Sequence, residues 1–501
     1  MARFTVDGVE YETEAGTPLL RALDELGVLM NGVDVPHYCW HPKLSVDGSC
    51  RLCQVEIEGE PKLQIACDTP VRDGMVVRTD TERVRSAREG VMELLLLNHP
   101  LDCPICDQAG ECRLQDHAFD YGVPAARTRE PRRAAKKRHD LGREIVFDQE
   151  RCILCRRCVR FCREVTGTNE LGVLRRGDRS VLETAPGHPL DNDYSMNVAD
   201  ICPVGALTTK DFRFKVRVWD LENVPGVCTG CSRGCNVEIG VARGEVQRYV
   251  PRRNDAVNET WLCDAGRLSY KEIGAPDRVR EVSVRGEHGL APVSLEDAIA
   301  GVSARVRAVL DERGGAAVAG IASAHACNED LRVFAAFLDS LGAGARGAPV
   351  PLGPADELLV RPEKAANAAG ARALGFGDPA PWLDRLRVGD AGVLIVLGHD
   401  LLGDAFLGSE APLSAIDTVV LIDTHQSPLV RVADFVFPAR HPAEREGTLT
   451  NHAGQVQDVV RAVKPPFPAW TEGEILTRLG TALGLGGFAG AISEPAPGAG
   501  R

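Results

Sequence analysis

Hydrophobic and polar positions change their period along this chain. Near the start, Phe4-Thr5-Val6 and Val9-Glu10-Tyr11 alternate on either side of Asp7-Gly8, a pair that supplies the two positive φ angles of a tight hairpin. Thr17 is then placed to cap a helix with Pro18 in its first turn, Leu19, Leu20, Leu23 and Leu26 along one stripe, and Gly27 as its stop. Residues 81 to about 120 read as helical, with Val84 to Leu97 leading to His99. After residue 277 the texture becomes α/β. Ser294 to Asp297 resembles a capping box ahead of Ile299, Val302, Val306 and Val309, which recur at helical spacing until Gly314. Ala316 to Ala322, Val393 to Leu397 and Val419 to Ile422 read as buried strands, and Leu331, Phe334, Phe337, Leu338 and Leu341 line another helix. This alternation predicts a largely parallel, Rossmann-like sheet.

At 501 residues the chain is long enough for several domains. Its formal net charge of −13 argues against a nucleic-acid binder, because neutralising phosphates needs a basic face. One stretch departs from that balance: residues 124 to 143 carry eight Lys/Arg against two acidic residues, with Pro124 and Pro131 breaking regularity. It reads as a solvated connector or as a docking surface for an acidic partner, and it lacks the aromatic platforms of a nucleic-acid arm. No apolar run approaches the roughly 18 residues that span a bilayer, and the first residues have no signal or transit character, so a cytoplasmic location is expected.

Cysteine spacing then dominates the picture. Fifteen of the 17 cysteines and one histidine fall into four sets of four before residue 264: Cys39, Cys50, Cys53, Cys67; His99, Cys103, Cys106, Cys112; Cys152, Cys155, Cys158, Cys202; and Cys228, Cys231, Cys235, Cys263. Dense thiols in a long chain without a signal read as metal or cluster ligands rather than disulfides. The first set keeps the central two-residue gap of a plant-type [2Fe–2S] site with a longer first loop, and Gly48 lets the backbone turn close to the sulfides. Hairpin, helix and cysteine loop in that order fit a β-grasp ferredoxin domain. Cys152, Cys155 and Cys158 curl one loop around a [4Fe–4S] cube. Its fourth ligand is Cys162 or Cys202, with Cys202 the better choice because Pro203 follows it. Arg151, Arg156, Arg157, Arg160 and Arg163 surround this loop, either to stabilise a reduced cluster or as a solvated or partner-facing surface. Zinc is the alternative occupant of the first and last sets. No catalytic nucleophile or acid/base pair stands out.

Leu97 to Cys112, with its Asn-His-Pro-Leu-Asp-Cys-Pro-Ile-Cys core, and the four sets together resemble one family, the large iron–sulfur (G-type) subunit of bacterial NADH:quinone oxidoreductase, respiratory complex I. The resemblance covers residues 1 to about 275. It implies His99 as a ligand, and an extra [4Fe–4S] cluster at Cys228, Cys231, Cys235 and Cys263, remote from the main electron path. A neutral imidazole in place of a thiolate should raise the potential of the His99 cluster. Glu444 to Gln457, with Gly447-Thr448, Asn451, Gly454 and Gln457, echoes the molybdopterin oxidoreductase fold, which this family carries without a working cofactor.

The expected fold is therefore α+β/α/β and multidomain. It comprises a β-grasp [2Fe–2S] domain (1–80), a helical His(Cys)3 [4Fe–4S] domain (81–123), a basic linker (124–145) and a ferredoxin-like [4Fe–4S] domain (146–220). A [4Fe–4S] domain of the Mo/W bis-MGD type (221–276), a truncated molybdopterin-oxidoreductase-like α/β domain without functional pterin (277–485) and a flexible tail (486–501) complete it. The family implies one [2Fe–2S] and three [4Fe–4S] clusters, with NADH and FMN on a partner subunit. It also implies peripheral-arm partners: the NADH/FMN-binding subunit, a small 2Fe–2S subunit, and the connecting and quinone-site subunits. Membrane contact is expected only through the complex, on the cytoplasmic side of the bacterial inner membrane. The competing reading is a subunit of an NAD-dependent formate dehydrogenase or hydrogenase. Cys327 is expected to be a buried structural residue. Gly342, Gly344 and Gly347 spell a dinucleotide fingerprint, but they follow a helix where the motif needs a strand.

Overall fold

The computed structural model describes residues 1–125, 127–377, 391–398 and 410–486, and it divides into two units, Met1–Leu221 and Glu222–Arg501. In the first unit, β1 (Ala2–Val6) and β2 (Val9–Thr13) pair with Val6 opposite Val9, and Asp7 and Gly8 both have positive φ, as a two-residue hairpin turn requires. With β3 (Gln54–Ile57), β4 (Gln64–Ile65) and β5 (Met75–Arg78) they form a sheet in the order β2-β1-β5-β3-β4, in which β1 and β5 are parallel. Helix α1 (Leu19–Glu25) buries Leu19, Leu20 and Leu23 against Phe4, Val6, Val55 and Val77.

Two details of that helix differ from the expectation. Thr17 does not cap it. Its carbonyl accepts from Val71 N at 2.9 Å, so the chain enters the helix from an extended bridge and Pro18 takes the cap position. Leu26 lies beyond the last turn and is 40% exposed, which removes it from the buried stripe.

Helix α2 (Glu82–Leu96) starts at Thr81, whose hydroxyl accepts from Val84 N at 3.2 Å. Helix α3 (Arg113–Tyr121) packs beside it, where Arg88, 1% exposed, donates to the Tyr121 hydroxyl at 2.9 Å. The basic stretch is partly tied down: Arg127 pairs with Glu93, and Lys137 with Asp102 and Glu150. Further along, Leu207–Thr209 pairs antiparallel with Ile145–Phe147. That pairing returns a distant segment, carrying Cys202, to the loop that begins at Cys152.

In the second unit, a seven-stranded sheet has the order Gly289–Pro292, Ser283–Gly286, Phe435–Pro438, Thr418–Asp423, Val393–Leu397, Val318–Ile321, Ala345–Gly347. The last five strands are parallel, and the first two form an antiparallel hairpin at one edge. Continuous apolar runs such as Val393–Leu397, buried at every position, are what a parallel sheet covered on both faces demands. The helix Leu295–Arg313 begins at Ser294, whose hydroxyl accepts from Asp297 N at 3.0 Å, and ends at Gly314. The helix Asn328–Leu341 ends at Gly342 and leads into Ala345–Gly347, so the three glycines stand between a helix and a strand, opposite to the dinucleotide arrangement. All but the first residue of the expected tail, 486–501, lie outside the described residues. Among the described residues, no helix is long and apolar enough to cross a membrane.

Phe334 is fully buried and stacks on Phe376, with ring centroids 5.5 Å apart. Phe334→Ala should cost about 3–5 kcal/mol in urea unfolding, as large aromatic deletions do. Leu352→Ala, at a position 75% exposed, should change stability by less than about 0.5 kcal/mol. Equal effects from the two variants would contradict the placement of this core.

Candidate metal centres

The first set is built on the β3/β4 edge. Cys53 immediately precedes β3 and Cys67 follows β4, and Ala66 N donates to Cys53 O at 2.8 Å, which brings the two side chains together. Cys39 and Cys50 come from the preceding loop, bent by positive φ at Gly48 and Arg51. The four thiols stand as two pairs. A hydrogen bond from the Cys50 thiol, joined by the backbone N–H groups of Cys50 and Ser49, holds Cys39 well below the usual thiol range, and the same bond drives Cys50 up. The Cys67 thiol does the same to Cys53, and Cys67 rises in turn.

In the second set, Cys103, Cys106 and Cys112 act on one another electrostatically. Burial pushes Cys112 up to about 11, against the backbone N–H groups of Gln115 and Leu114 that point at its sulfur. Burial, with the Arg151 charge adding to it, lowers His99 to about 4, which keeps the imidazole neutral and able to act as a ligand. His99 Nδ1 is closed off from solvent and has no hydrogen-bond partner among the described residues. Arg151, 2% exposed and paired with Asp102 at 3.0 Å and Asp148 at 3.5 Å, acts on both His99 and Cys106.

Cys152, Cys155, Cys158 and Cys202 line one cavity, its loop curled by left-handed backbone at Leu154 and Arg156. Cys158 lies in the first turn of α4 (Arg157–Glu164). Cys162, one turn further along that helix, is fully buried and does not line the cavity. The structure thus brings Cys202 into the third set and leaves Cys162 outside. Burial pushes Cys152 and Cys202 up to about 12, although N–H groups from Leu154 and from Val204, Leu207 and Ala206 point at the two sulfurs.

The second and third sets meet at the turn after Cys202. Cys112 Sγ lies 3.8 Å from Pro203 O, and a Cβ built on Gly205 would stand 2.3 Å from Cys106 Sγ. A side chain at that position would push the Cys106 sulfur out of place. Gly205 escapes a reading of the sequence, because nothing local marks it beyond its place three residues after Cys202.

The fourth set sits in the second unit. Cys228 follows the strand Glu222–Val227, Cys235 precedes its antiparallel partner Asn236–Ala242, and Cys228 N donates to Cys235 O at 2.8 Å. Cys263 caps the helix Asp264–Leu268, and its sulfur accepts from Gly266 N at 3.3 Å. A Cβ on Gly266 would lie 2.9 Å from Cys228 Sγ and 3.2 Å from Cys263 Sγ, so this glycine lets the two sulfurs approach. Cys231 and Cys235 act electrostatically on the same pair. Cys327 is 1% exposed and packs with Val227, Ala366 and Leu449, as a structural residue does. Across all four sets, no three His, Cys, Asp or Glu side chains among the described residues lie close enough to hold a single metal ion.

Family models match the chain in consecutive blocks. They are a 2Fe-2S iron-sulfur cluster binding domain (1–82), the NADH-ubiquinone oxidoreductase-G iron-sulfur binding region (88–127) and the NADH-quinone oxidoreductase subunit 3 ferredoxin-like domain (142–208), followed by the molybdopterin oxidoreductase Fe4S4 domain (221–274) and molybdopterin oxidoreductase (358–482). The G-type subunit of NADH-quinone oxidoreductase from Rickettsia bellii is 38% identical over 342 residues, 68% of this chain and 49% of that protein. This chain is a homologue of that subunit. The mitochondrial NADH dehydrogenase [ubiquinone] iron-sulfur protein 1 of Solanum tuberosum is 39% identical over 67% of this chain and 44% of its own length. The chain thus spans about half the length of the curated relatives it matches. Among solved structures, an NAD+-reducing [NiFe]-hydrogenase in the H2-reduced state aligns with 30% identity over 43% of this chain and 91% of that chain, with a TM-score of 0.38.

The second unit also holds a polar cavity at the C-terminal ends of its parallel strands, lined by Thr229, Ser323, His325, Asp423, His425 and Glu472 among others. Burial raises Asp423 to about 6, above its ordinary 3.8. Between those values the unfolded chain gives up the proton while the folded one keeps it, so stability falls as pH rises through that window and stays reduced above it. Asp423→Asn should remove this dependence and stabilise the second unit at pH 7 by up to about 3 kcal/mol. Urea midpoints measured from pH 4 to 7 check this, and a variant that tracks the parent's pH dependence contradicts it.

Proposed function

We propose that this chain is the iron–sulfur relay subunit of an NADH:quinone oxidoreductase, passing single electrons from a flavin-bearing partner toward quinone. The observation that carries the reading is the convergence of thiols from distant segments into four-ligand sets, as when Cys202 joins Cys152, Cys155 and Cys158 around one cavity. In the first set the two-and-two pairing of Cys39 with Cys50 and Cys53 with Cys67 suits a binuclear centre, in which each iron takes two thiolates. A β-grasp assignment of the first sheet goes with that centre. His99, Cys103, Cys106 and Cys112, then Cys152, Cys155, Cys158 and Cys202, and finally Cys228, Cys231, Cys235 and Cys263 would each hold a [4Fe–4S] cluster.

Such clusters, when bound, supply one-electron transfer without making or breaking a bond to the polypeptide. The chain's own residues hold them and set their potentials. Backbone N–H groups aimed at Cys39, Cys112, Cys152 and Cys202 favour the more negative, reduced state. The neutral His99 ring leaves its cluster one charge less negative than four thiolates would. Arg151 adds positive charge beside the same ligand set. The first three sets lie in one unit, which suits a continuous path; the fourth lies in the other unit and is assigned no place on it.

In this reading NADH and FMN stay on a partner, the small 2Fe–2S, connecting and quinone-site subunits are neighbours, and the molybdopterin-like region works without pterin. The assembly sits on the cytoplasmic side of the bacterial inner membrane. Iron and acid-labile sulfide quantification with low-temperature EPR of the reduced, anaerobically purified chain should give one binuclear and three cubane centres. Colourless protein carrying zinc would refute the relay. His99→Cys should retain a cubane whose midpoint potential is lower than the parent's; an unshifted potentiometric titration would remove His99 from the ligands.

A further inference from the structure

We infer that Arg157 and Arg160 form a charged bridge between the first and third ligand sets, and that their positive charges stabilise the reduced form of both centres at once. The inference rests on the proposed function, since it needs a centre in each set. Five arginines surround the third loop, and the structure separates them into two kinds. Arg151 pairs with Asp102 and Asp148, Arg156 with Asp47 at 2.9 Å, and Arg163 with Glu164. Arg157 and Arg160 have no carboxylate partner among the described residues, yet they are only 8% and 3% exposed.

Each of the two reaches both sets. Arg157 Nη2 donates to the carbonyl of Trp40, directly after Cys39, and its Nη1 donates at 3.2 Å to the carbonyl of Ile201, directly before Cys202. Arg160 Nη2 donates to the carbonyl of Cys39 itself and, at 3.3 Å, to that of Cys155, while its Nη1 holds the carbonyl of Ser45. The Nε atoms of both are sealed from solvent without an acceptor among the described residues. A buried cation without a counter-charge is strongly disfavoured. Carbonyl oxygens orient these guanidiniums but carry no net charge. Both guanidiniums are held on the carbonyls of Cys39 and Cys155 and of the residues next to Cys39 and Cys202, so the charge that ligation gathers in the two sets is the counter-charge within their reach. Reduction adds negative charge to either centre, and the bridge opposes neither addition. Both arginines are positioning residues: they act on potential through the field they impose, and no proton or bond changes hands.

The test uses the full chain, prepared anaerobically with its clusters, in potentiometric titrations that follow the binuclear and cubane EPR signals separately. Arg157→Gln and Arg160→Gln should each make reduction of the binuclear centre and of one cubane about tenfold less favourable, a fall of ~59 mV for a one-electron couple. Arg157→Lys and Arg160→Lys, which keep the charge, should restore most of that shift, and Arg163→Gln should move neither signal. Unchanged midpoints in both Gln variants, or a shift confined to one centre, would overturn the bridge. If the Gln variants lose iron, the Lys variants decide: parent-like midpoints support the bridge, whereas loss of iron with the charge retained makes these side chains scaffold and overturns it. A parent chain without iron–sulfur signals is a different result, which removes the proposed function itself.

Discussion

Negative charge gathered away from water is the constraint around which the first unit is built. Burial alone raises nearly every clustered thiol in the second and third sets, so the folded chain must supply compensation before those sulfurs can act as thiolates. It does so with inward-pointing backbone N–H groups, with left-handed turns at Leu154 and Arg156 that aim them, and with cations brought in from the side. The sheets and helices serve that end by fixing where each loop starts. β3 and β4 hold Cys53 beside Cys67, and the pairing of Leu207–Thr209 with Ile145–Phe147 carries Cys202 back to its set.

Much of this was legible locally. The Asp7-Gly8 hairpin, the Ser294 cap, the Gly314 stop and the fully apolar strand Val393–Leu397 are decided by residues within a few positions of each other, and the sequence announces them. Ligand spacing is similarly readable, because a two-residue gap between cysteines already restricts how the loop can turn. In the sequence the proline after Cys202 favours it over Cys162, and in the fold Cys202 lines the cavity while α4 turns Cys162 into the core behind it.

What stayed hidden depends on contacts between segments far apart in sequence. Thr17 reads as a cap, but its carbonyl is claimed by Val71. The five arginines around the third loop are indistinguishable in sequence, and only packing against the Cys39–Ser45 loop separates the two held by backbone carbonyls from those with carboxylates of their own. In the second unit, Asp423 looks like an ordinary strand-end residue until the enclosing walls of its cavity raise its proton affinity.

The turn from Cys202 to Gly205 belongs to two pockets at the same time: its first residue is offered to one, while Pro203 and Gly205 press on sulfurs of the other. Neither pocket can therefore change its backbone length independently, and an insertion there would disturb both.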